Sequence, residues 1–254
     1  MKPLIPFFTL VRQEVYRFWR LIKQTIFPPI VTTLLYILIF GFSLGSRIQE
    51  IHGFPYILFI IPGLAAMGVI NGSFSNACSS LYMAKFDRSL ENLLATPLRP
   101  VEMVLAYIFS GLMRGVLIGT LILIVALSFF KIPPQHFFVL LYFFIFQSVI
   151  FSCWGIIAGM RAKTWDSLAT IENFIITPLV YLGGVFYSID LLPQPWRMVS
   201  MFNPLFYIMD GTRYGILGVH DAPLLYSFSF TAIVALILFG VCVYLFQIGY
   251  RMVR

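Results

Sequence analysis

Charged side chains are what this sequence has least of. Only 11% of its 254 residues are Asp, Glu, Lys or Arg, whereas soluble domains average roughly 25%. The chain has only three cysteines and no Cys-x-x-Cys pair, which excludes a disulfide framework. Its three histidines are far apart in the sequence, which argues against a metal site. We therefore exclude a water-soluble globule and expect no metal bound by this chain.

Nucleotide-binding and zinc-protease motifs are also missing. The chain contains no Gly-Lys pair, so it lacks a loop that cradles ATP phosphates, and H-E-x-x-H does not occur. Glu172 is the main carboxylate predicted inside the membrane, whereas ion-coupled transporters need buried ionisable groups. An ion-coupled transporter or channel is therefore a weaker alternative. A membrane-embedded lipid-modifying enzyme, which needs clustered His, Asp or Ser residues, is weaker still.

Long apolar segments make up most of the chain, of which 60% is hydrophobic. About 20 apolar residues suffice for a helix to cross a hydrocarbon core of about 30 Å. On that basis we predict an all-α membrane protein, with a single transmembrane domain over residues 1–254 and six transmembrane helices. The predicted spans cover residues 26–46, 56–79, 103–130, 137–160, 168–187 and 224–250.

The positions of the basic residues predict the topology. Most of the 17 Lys and Arg residues precede the first span, lie between the second and third or the fourth and fifth, or follow the sixth. Loops rich in Lys and Arg stay in the cytoplasm, so we expect both termini there. The net charge of +7 then reflects membrane topology, and no nucleic-acid partner is expected.

The N-terminal segment, residues 1–25, is predicted to form an amphipathic interface helix. Val11, Val15 and Phe18 share one face, and basic residues occupy another. Such a helix lies in the plane of the membrane, with its basic residues toward anionic lipids. The alternative is an ordinary basic flank of the first span.

Polar residues inside two predicted spans leave alternatives open. The small and polar residues of the second span indicate either helix packing or the lining of a pathway. Arg114 in the third span either extends its side chain to the inner interface or pairs with Glu172 of the fifth.

The segment 82–100 is too charged to cross a bilayer, yet it has the pattern of a helix. Phe86, Leu90, Leu93 and Leu94 follow helical spacing and share one face, and a proline follows the run. A membrane protein that carries such a helix between two spans presents it to a partner in water, and the apolar face is expected to anchor in a groove of that partner. The alternative is a helix that lies on the surface with its charged face solvated.

The segment 188–223 combines prolines, charges and apolar stretches that are too short to cross a membrane. We predict two re-entrant half-helices that dip into the outer leaflet, where protein or water covers their backbone. The alternative is a loose external loop.

Two parts of the sequence resemble a known family. Residues 89–97, Ser-Leu-Glu-Asn-Leu-Leu-Ala-Thr-Pro, resemble the Leu-Glu-x-Leu-Leu-x-Thr-Pro coupling segment of ABC-2 type exporter permeases. The family's signature around its fifth and sixth spans resembles Gly-Gly-Val-Phe-Tyr at 183–187, Leu-Pro at 192–193, Asn-Pro-Leu at 203–205, Gly-Thr-Arg at 211–213 and Gly218. Length, span count and the predicted location of the termini agree with that family.

The resemblance implies that two copies of the chain, or this chain and a similar one, form an export pathway in a bacterial cytoplasmic (inner) membrane. A separate ATP-binding-cassette subunit binds ATP and Mg and hydrolyses the ATP, so this chain needs no cofactor and no catalytic residues of its own. The helix within 82–100 serves as the coupling helix. The aromatic content of 17% suits stacking on sugars and contact with apolar chains equally, so it favours neither class of substrate.

The resemblance also implies three groups of functional residues. The residues expected to couple to the ATPase are Phe86, Asp87, Leu90, Glu91, Leu93 and Leu94. The residues expected at the outer gate are Asn203, Pro204 and Arg213. The candidates for the pathway are Tyr36, Phe40, Tyr181, Phe186 and Tyr187.

Overall fold

The computed structural model describes residues 4–40, 50–130 and 133–251, and it is almost wholly helical there. The helices are α1 (Leu4–Arg20), α2 (Ile22–Leu38), α3 (Tyr56–Phe86), α4 (Ser89–Leu94), α5 (Pro100–Phe130), α6 (Phe137–Arg161), α7 (Trp165–Ile171), α8 (Thr177–Leu182), α9 (Gln194–Phe202), α10 (Pro204–Leu217) and α11 (Leu224–Gln247). A π-helical turn, Glu172–Ile176, joins α7 to α8, and a 3₁₀ turn occupies Ile189–Leu191.

A two-stranded antiparallel hairpin precedes α3. Its strands are β1 (Glu50–Ile51) and β2 (Phe54–Pro55), with Glu50 opposite Pro55. The long helix α3 leads from this hairpin to α4, and we refer to the two sides of the bundle as the hairpin end and the α4 end.

Within the residues that the structure describes, four helices are long and apolar enough to cross a membrane, namely α3, α5, α6 and α11. They overlap the second, third, fourth and sixth predicted spans. The first predicted span corresponds to α2, which has 17 residues, and residues 41–46 lie outside the described part of the chain. Helices α1 and α2 meet at a bend of 60° and make a fifth candidate only if both are counted as one span.

The fifth predicted span is more irregular than the sequence pattern indicated. Helix α7, the π-helical turn and α8 follow one another without a gap and contribute 7, 5 and 6 residues. The helical segment ends at Leu182, so the predicted end at Tyr187 is wrong. Thr164 caps its start by accepting a hydrogen bond from the backbone of Ser167, which satisfies an otherwise free N–H group.

Helix α3 is the centre of the bundle and is buried along most of its length. Its close approach to α5 and α6 depends on glycine. A Cβ atom on Gly115 would lie 2.8 Å from the carbonyl oxygen of Val69 and closer still to Ser73 Oγ. A Cβ atom on Gly155 would lie 3.0 Å from the backbone nitrogen of Cys78. Gly72 and Ser73 of the second span therefore lie at the contact with α5, which favours the packing alternative for these two residues.

Arg114 and Glu172 form no ion pair in the part of the chain that the structure describes. Arg114 is partly buried on α5, and its Nε atom has no hydrogen-bond partner there. The pairing alternative is therefore wrong for this conformation.

The segment that follows α8 is ordered into short helices, so the alternative of a loose loop is wrong. Pro193 precedes α9, whereas Pro204 opens α10, where its missing N–H group costs no hydrogen bond. Helix α10 is largely buried and packs against α3, α6 and α11.

Candidate functional site

The predicted coupling segment is divided into two helices. Helix α3 continues through Phe86, Arg88 takes a left-handed conformation with φ of 59°, and α4 then runs for six residues. The sequence prediction of one amphipathic helix from Phe86 to Ala95 is therefore wrong. The break at Arg88 turns Phe86 and Leu90 in different directions.

Leu90 belongs to the chain's own core. Its side chain is 0% exposed and joins a cluster that includes Met103, Tyr107 and Phe246. The expectation that Leu90 inserts into a partner is thus corrected, because an anchor that is already buried holds α4 against its own bundle. Leu93 and Leu94 are half-buried against the same cluster.

The exposed part of this segment is mostly polar. Phe86 is 63% exposed, and Asp87, Glu91 and Asn92 are exposed beside it. We call these four residues the α4 surface. A cavity of about 360 Å³ lies next to it, between α1, α3 and α4, and is lined in part by Asp87.

Polar contacts connect α1 to the interior of the bundle. Glu14 is buried, accepts a hydrogen bond from the Ser80 hydroxyl, and lies 3.5 Å from the Arg17 guanidinium. Arg17 donates to the backbone oxygen of Asn76 at 3.0 Å, and the Asn76 amide donates to Ser110 Oγ at 2.8 Å. We call this set the α1 network.

Sequence reasoning missed the α1 network. It placed the basic residues of α1 on the lipid side, whereas Arg17 points toward α3. The available signal was the i, i+3 spacing of Glu14 and Arg17 beside the i, i+4 pair of Asn76 and Ser80 on α3. The amphipathic character of α1 is nonetheless present, since Leu10 and Phe18 are buried.

Four of the five pathway candidates form one aromatic cluster at the hairpin end. The hydroxyl groups of Tyr36 and Tyr181 lie 3.0 Å apart. The ring of Phe186 stacks on Phe40 with centroids 4.7 Å apart and lies 5.8 Å from Tyr36 and 5.6 Å from Tyr181. Tyr56, which the sequence did not single out, donates to the backbone oxygen of Phe186 at 2.9 Å.

Tyr187 lies apart from the aromatic cluster. Its hydroxyl donates to the backbone oxygen of Leu182 at 3.1 Å, and its ring packs on a separate cluster that contains Ile189 and Phe206.

The predicted gate residues Asn203 and Pro204 fix the start of α10. Asn203 Oδ1 accepts from the backbone N–H of Leu205 at 3.0 Å, which is an N-cap. The side-chain amide of Asn203 also donates to the backbone oxygen of Leu179 at 2.6 Å. One asparagine therefore holds α10 against α8, beside the aromatic cluster.

Arg213 is buried at the hairpin end, with 1% of its surface exposed. It donates to the backbone oxygen of Gly184 at 2.5 Å and lies 3.4 Å from Asp221 Oδ2. Its guanidinium carbon also lies 4.0 Å from the centroid of the Phe59 ring, a cation–π distance. Burial lowers the pKa of Arg213, and the charges of Asp221 and Asp210 oppose that shift.

Two carboxylates complete this buried group, and the sequence analysis missed both. Asp210 accepts hydrogen bonds from the backbone N–H groups of Asp221 at 2.6 Å and Ala222 at 3.3 Å. Asp221 in turn lies 2.9 Å from His52 Nε2 and accepts from the Ser188 hydroxyl at 3.0 Å. Burial raises the pKa of Asp210 to about 6, against the lowering effect of the Asp221 backbone hydrogen bond.

His52, Asp190 and Asp221 offer ligand atoms that all lie within 4.8 Å of one another. Both carboxylates already have a cationic partner, because Arg197 pairs with Asp190 at 2.7 Å and Arg213 lies beside Asp221. A divalent cation would have to compete with these arginines. The donor set therefore fits an internal ion-pair network better than a metal centre.

A bundle of apolar helices with an amphipathic N-terminal helix and short capped helices at one end is the architecture of a multi-pass membrane protein. The chain belongs to the ABC-2 type transporter family, whose sequence profile matches residues 6–217. The chain is thus the transmembrane permease part of an ABC transporter.

The chain is also similar to three known proteins, of which the first is a transport permease. Inner membrane transport permease YadH of Escherichia coli (strain K12) is 41% identical over 239 residues, 93% of each chain. Nodulation protein J of Sinorhizobium fredii (strain NBRC 101917 / NGR234) is 24% identical over 179 residues, 70% of this chain and 68% of that protein. Nodulation protein J of Rhizobium leguminosarum bv. viciae is 24% identical over 188 residues, 72% of this chain and 71% of that protein.

Proposed function

We propose that this chain is the permease subunit of an ABC exporter in a bacterial inner membrane. Two identical copies form the translocation pathway with six spans each, and both termini are cytoplasmic. A separate ATP-binding subunit binds ATP and Mg and supplies the energy, while this chain carries out no catalysis. Membership of the ABC-2 family and the name of the 41% identical relative support this assignment.

The observation that carries the coupling proposal is the path of α3. This helix has 31 residues, so at 1.5 Å per residue it is about 46 Å long. The α4 surface adjoins one end. At the other end, Phe59 lies under Arg213, and Gly63 lies so close to Val185 that a Cβ atom would be 2.8 Å from its Cα. A displacement of α4 by the ATP-binding subunit would therefore reach the gate residues through one continuous element.

The α4 surface suits docking in water. Glu91 is exposed and contributes a charge that sets the register against the ATP-binding subunit. Phe86 contributes an apolar contact with the ATP-binding subunit. The buried Leu90 fixes α4 to the bundle, so a displacement of α4 is transmitted to the helices that pack against it.

The aromatic cluster of Tyr36, Phe40, Tyr181 and Phe186 is proposed to line the pathway where two copies meet. It is only partly buried in the single chain, and it adjoins the N-cap of α10 through Leu179 and Asn203. Aromatic rings of this kind accept both sugar faces and acyl chains. The outer gate then consists of Asn203, Pro204 and the buried Arg213.

The coupling proposal predicts that Glu91→Arg uncouples transport from ATP hydrolysis. Reversing this charge opposes docking in the required register but leaves the buried Leu90 anchor in place. The subunits are purified together and reconstituted, and a substrate that stimulates ATP hydrolysis is found by screening. ATP hydrolysis and ATP-driven uptake of that substrate into inside-out vesicles are then compared.

The matched control is Glu50→Arg, the same charge reversal on an exposed residue of β1 at the opposite end of the bundle. We expect Glu91→Arg to lose most uptake while still inserting in the membrane, and Glu50→Arg to keep the wild-type ratio of uptake to hydrolysis. Normal uptake by Glu91→Arg would overturn the coupling role of α4.

A further inference from the structure

A basic pocket lies at the α4 end, where α3, α6 and the residues after α11 meet. The cavity measures about 450 Å³. Four of the residues that line it are cations, Lys85, Arg161, Lys163 and Arg251, and none is an Asp or a Glu. None of these four cations belongs to the α4 surface or to the aromatic cluster.

Only part of this positive charge is explained by the fold. Lys85 Nζ donates to the backbone oxygen of Met160 at 2.6 Å and so caps the end of α6. Arg161 lies in the last turn of α6, where the helix dipole favours a cation. Lys163 follows that helix, and Arg251 follows α11, so neither position gains from the last turn of a helix.

Carboxylates do not neutralise the pocket. Within residues 4–40, 50–130 and 133–251, the ion pairs formed by arginine involve Arg17, Arg197 and Arg213 and do not include Arg161 or Arg251. Lys163 is exposed, and the Arg251 guanidinium lies 5.4 Å from the centroid of its neighbour Tyr250. Three exposed cations thus line one cavity without a carboxylate beside them, which makes the cavity a favourable site for an anion.

The wall of the same pocket is aromatic. Tyr82 and Phe86 line it, with ring centroids 6.4 Å apart, and the ring of Trp165 packs edge-on to Tyr82 at 4.8 Å. Three of the four apolar helices that are long enough to cross a membrane end here. Cations beside Tyr and Trp at the end of such helices match the headgroup region of a bilayer.

We propose that this pocket binds the phosphate group of an anionic amphiphile at the membrane surface. Arg161, Lys163 and Arg251 bind the phosphate, and the Tyr82–Phe86 wall contacts the adjoining apolar part. The source of the phosphate is a phospholipid headgroup or a free phosphate group. The proposal goes beyond the transport function, and of the residues that carry it only Phe86 also belongs to the α4 surface.

The test uses the full chain in a neutral detergent and native mass spectrometry. The probes are dioctanoyl phosphatidylglycerol, dioctanoyl phosphatidylcholine and inorganic phosphate. The pocket variant is Arg161→Gln/Lys163→Gln/Arg251→Gln, and the matched control is Lys23→Gln/Arg88→Gln/Arg99→Gln, which removes three exposed basic residues that lie outside α1 and do not line the pocket. A thermal melt of each variant confirms that the exposed substitutions leave the fold intact.

We expect wild-type chain and control to bind phosphatidylglycerol more tightly than phosphatidylcholine. The pocket variant should bind it roughly fivefold more weakly for each charge removed, on the order of 100-fold in total. Binding of inorganic phosphate that competes with the lipid would identify the free anion as sufficient, whereas binding of the lipid alone would assign the site to the headgroup.

Three results would overturn the proposal. One is equal binding of the two lipids by the wild type, and another is an equal loss in the pocket and control variants, which would show that surface charge alone is responsible. The third is a pocket variant that keeps its lipid binding but no longer co-purifies with an ATP-binding subunit, which would make the pocket a protein contact instead.

Discussion

Three buried charged side chains lie close together at the hairpin end, those of Arg213, Asp210 and Asp221. Removing such charges from water is costly, and the cost is offset only where each has a partner. Here Arg213 interacts with Gly184 and Asp221, whereas Asp210 depends on two backbone N–H groups. The arrangement fixes the turn after α10 in one conformation, and it makes the ionisation of Asp210 relevant to stability.

We predict that acid stabilises the fold through Asp210. Its pKa is raised from 3.8 to about 6 by burial, so between these values the folded state holds a proton that the unfolded state releases. Stability therefore falls as the pH rises from about 4 to about 6, by on the order of 3 kcal/mol for this group. Thermal melts in detergent across this range measure the effect.

Asp210→Asn should remove this decline, because the side chain no longer ionises. Asp190→Asn is the control, since Asp190 is half exposed and paired with Arg197, and it should leave the decline in place. An Asp210→Asn protein with the same pH dependence as the wild type would contradict the assignment.

At the residue scale, the sequence identified Arg213 and Asn203 through their motif but not their partners. Asp221 contacts His52, which lies far away in the sequence at the corner of the hairpin. Such a pair forms only in the packed fold, and no spacing of neighbouring residues in the sequence predicts it. The opposite error occurred at Leu90, which was correctly predicted to be helical but was assigned to a partner instead of the core.

At the scale of elements, the packing of α3, α5 and α6 depends on the absence of side chains. We predict that Gly115→Ala destabilises the chain by about 1–3 kcal/mol, because the new methyl group meets the backbone oxygen of Val69. The measurement is the melting temperature in detergent.

Gly240→Ala in α11 is the control for helix propensity. No atom lies within 4 Å of a Cβ placed there, so the substitution should be neutral or stabilising by up to about 1 kcal/mol. A Gly115→Ala protein as stable as the Gly240→Ala protein would show that the glycine contact has room to relax.

The long helices were predictable because about 20 apolar residues have few other structures available in a membrane. The break between α3 and α4 was not. It depends on Arg88 adopting a left-handed conformation, which is uncommon for residues other than Gly, Asn and Asp. The π-helical turn at Glu172–Ile176 likewise has no marker in the hydrophobic pattern.

At the scale of the whole molecule, the orientation of the bundle can be tested by labelling. Cys78, Cys153 and Cys242 are all buried, so the natural chain gives a low background with a membrane-impermeant maleimide. We predict that Ala95→Cys reacts only in inside-out vesicles, because the proposed topology places α4 in the cytoplasm. Ala95 is exposed, and so is Glu50, the second substitution site.

Glu50→Cys is the counterpart at the hairpin end and should react in intact spheroplasts. Labelling of Ala95→Cys from outside the cell would show that the topology is the opposite of the proposed one. It would also remove the basis for an ATP-binding partner at α4.

The α1 network limits how the N-terminal helix can respond to anything that binds beside it. Arg17 and Glu14 bridge from α1 to α3, and Asn76 extends the connection to α5. Separating α1 from the bundle would break the hydrogen bonds that the Glu14 carboxylate and the Arg17 guanidinium make with α3. We therefore expect α1 to move together with α3 and α5, to which these hydrogen bonds connect it.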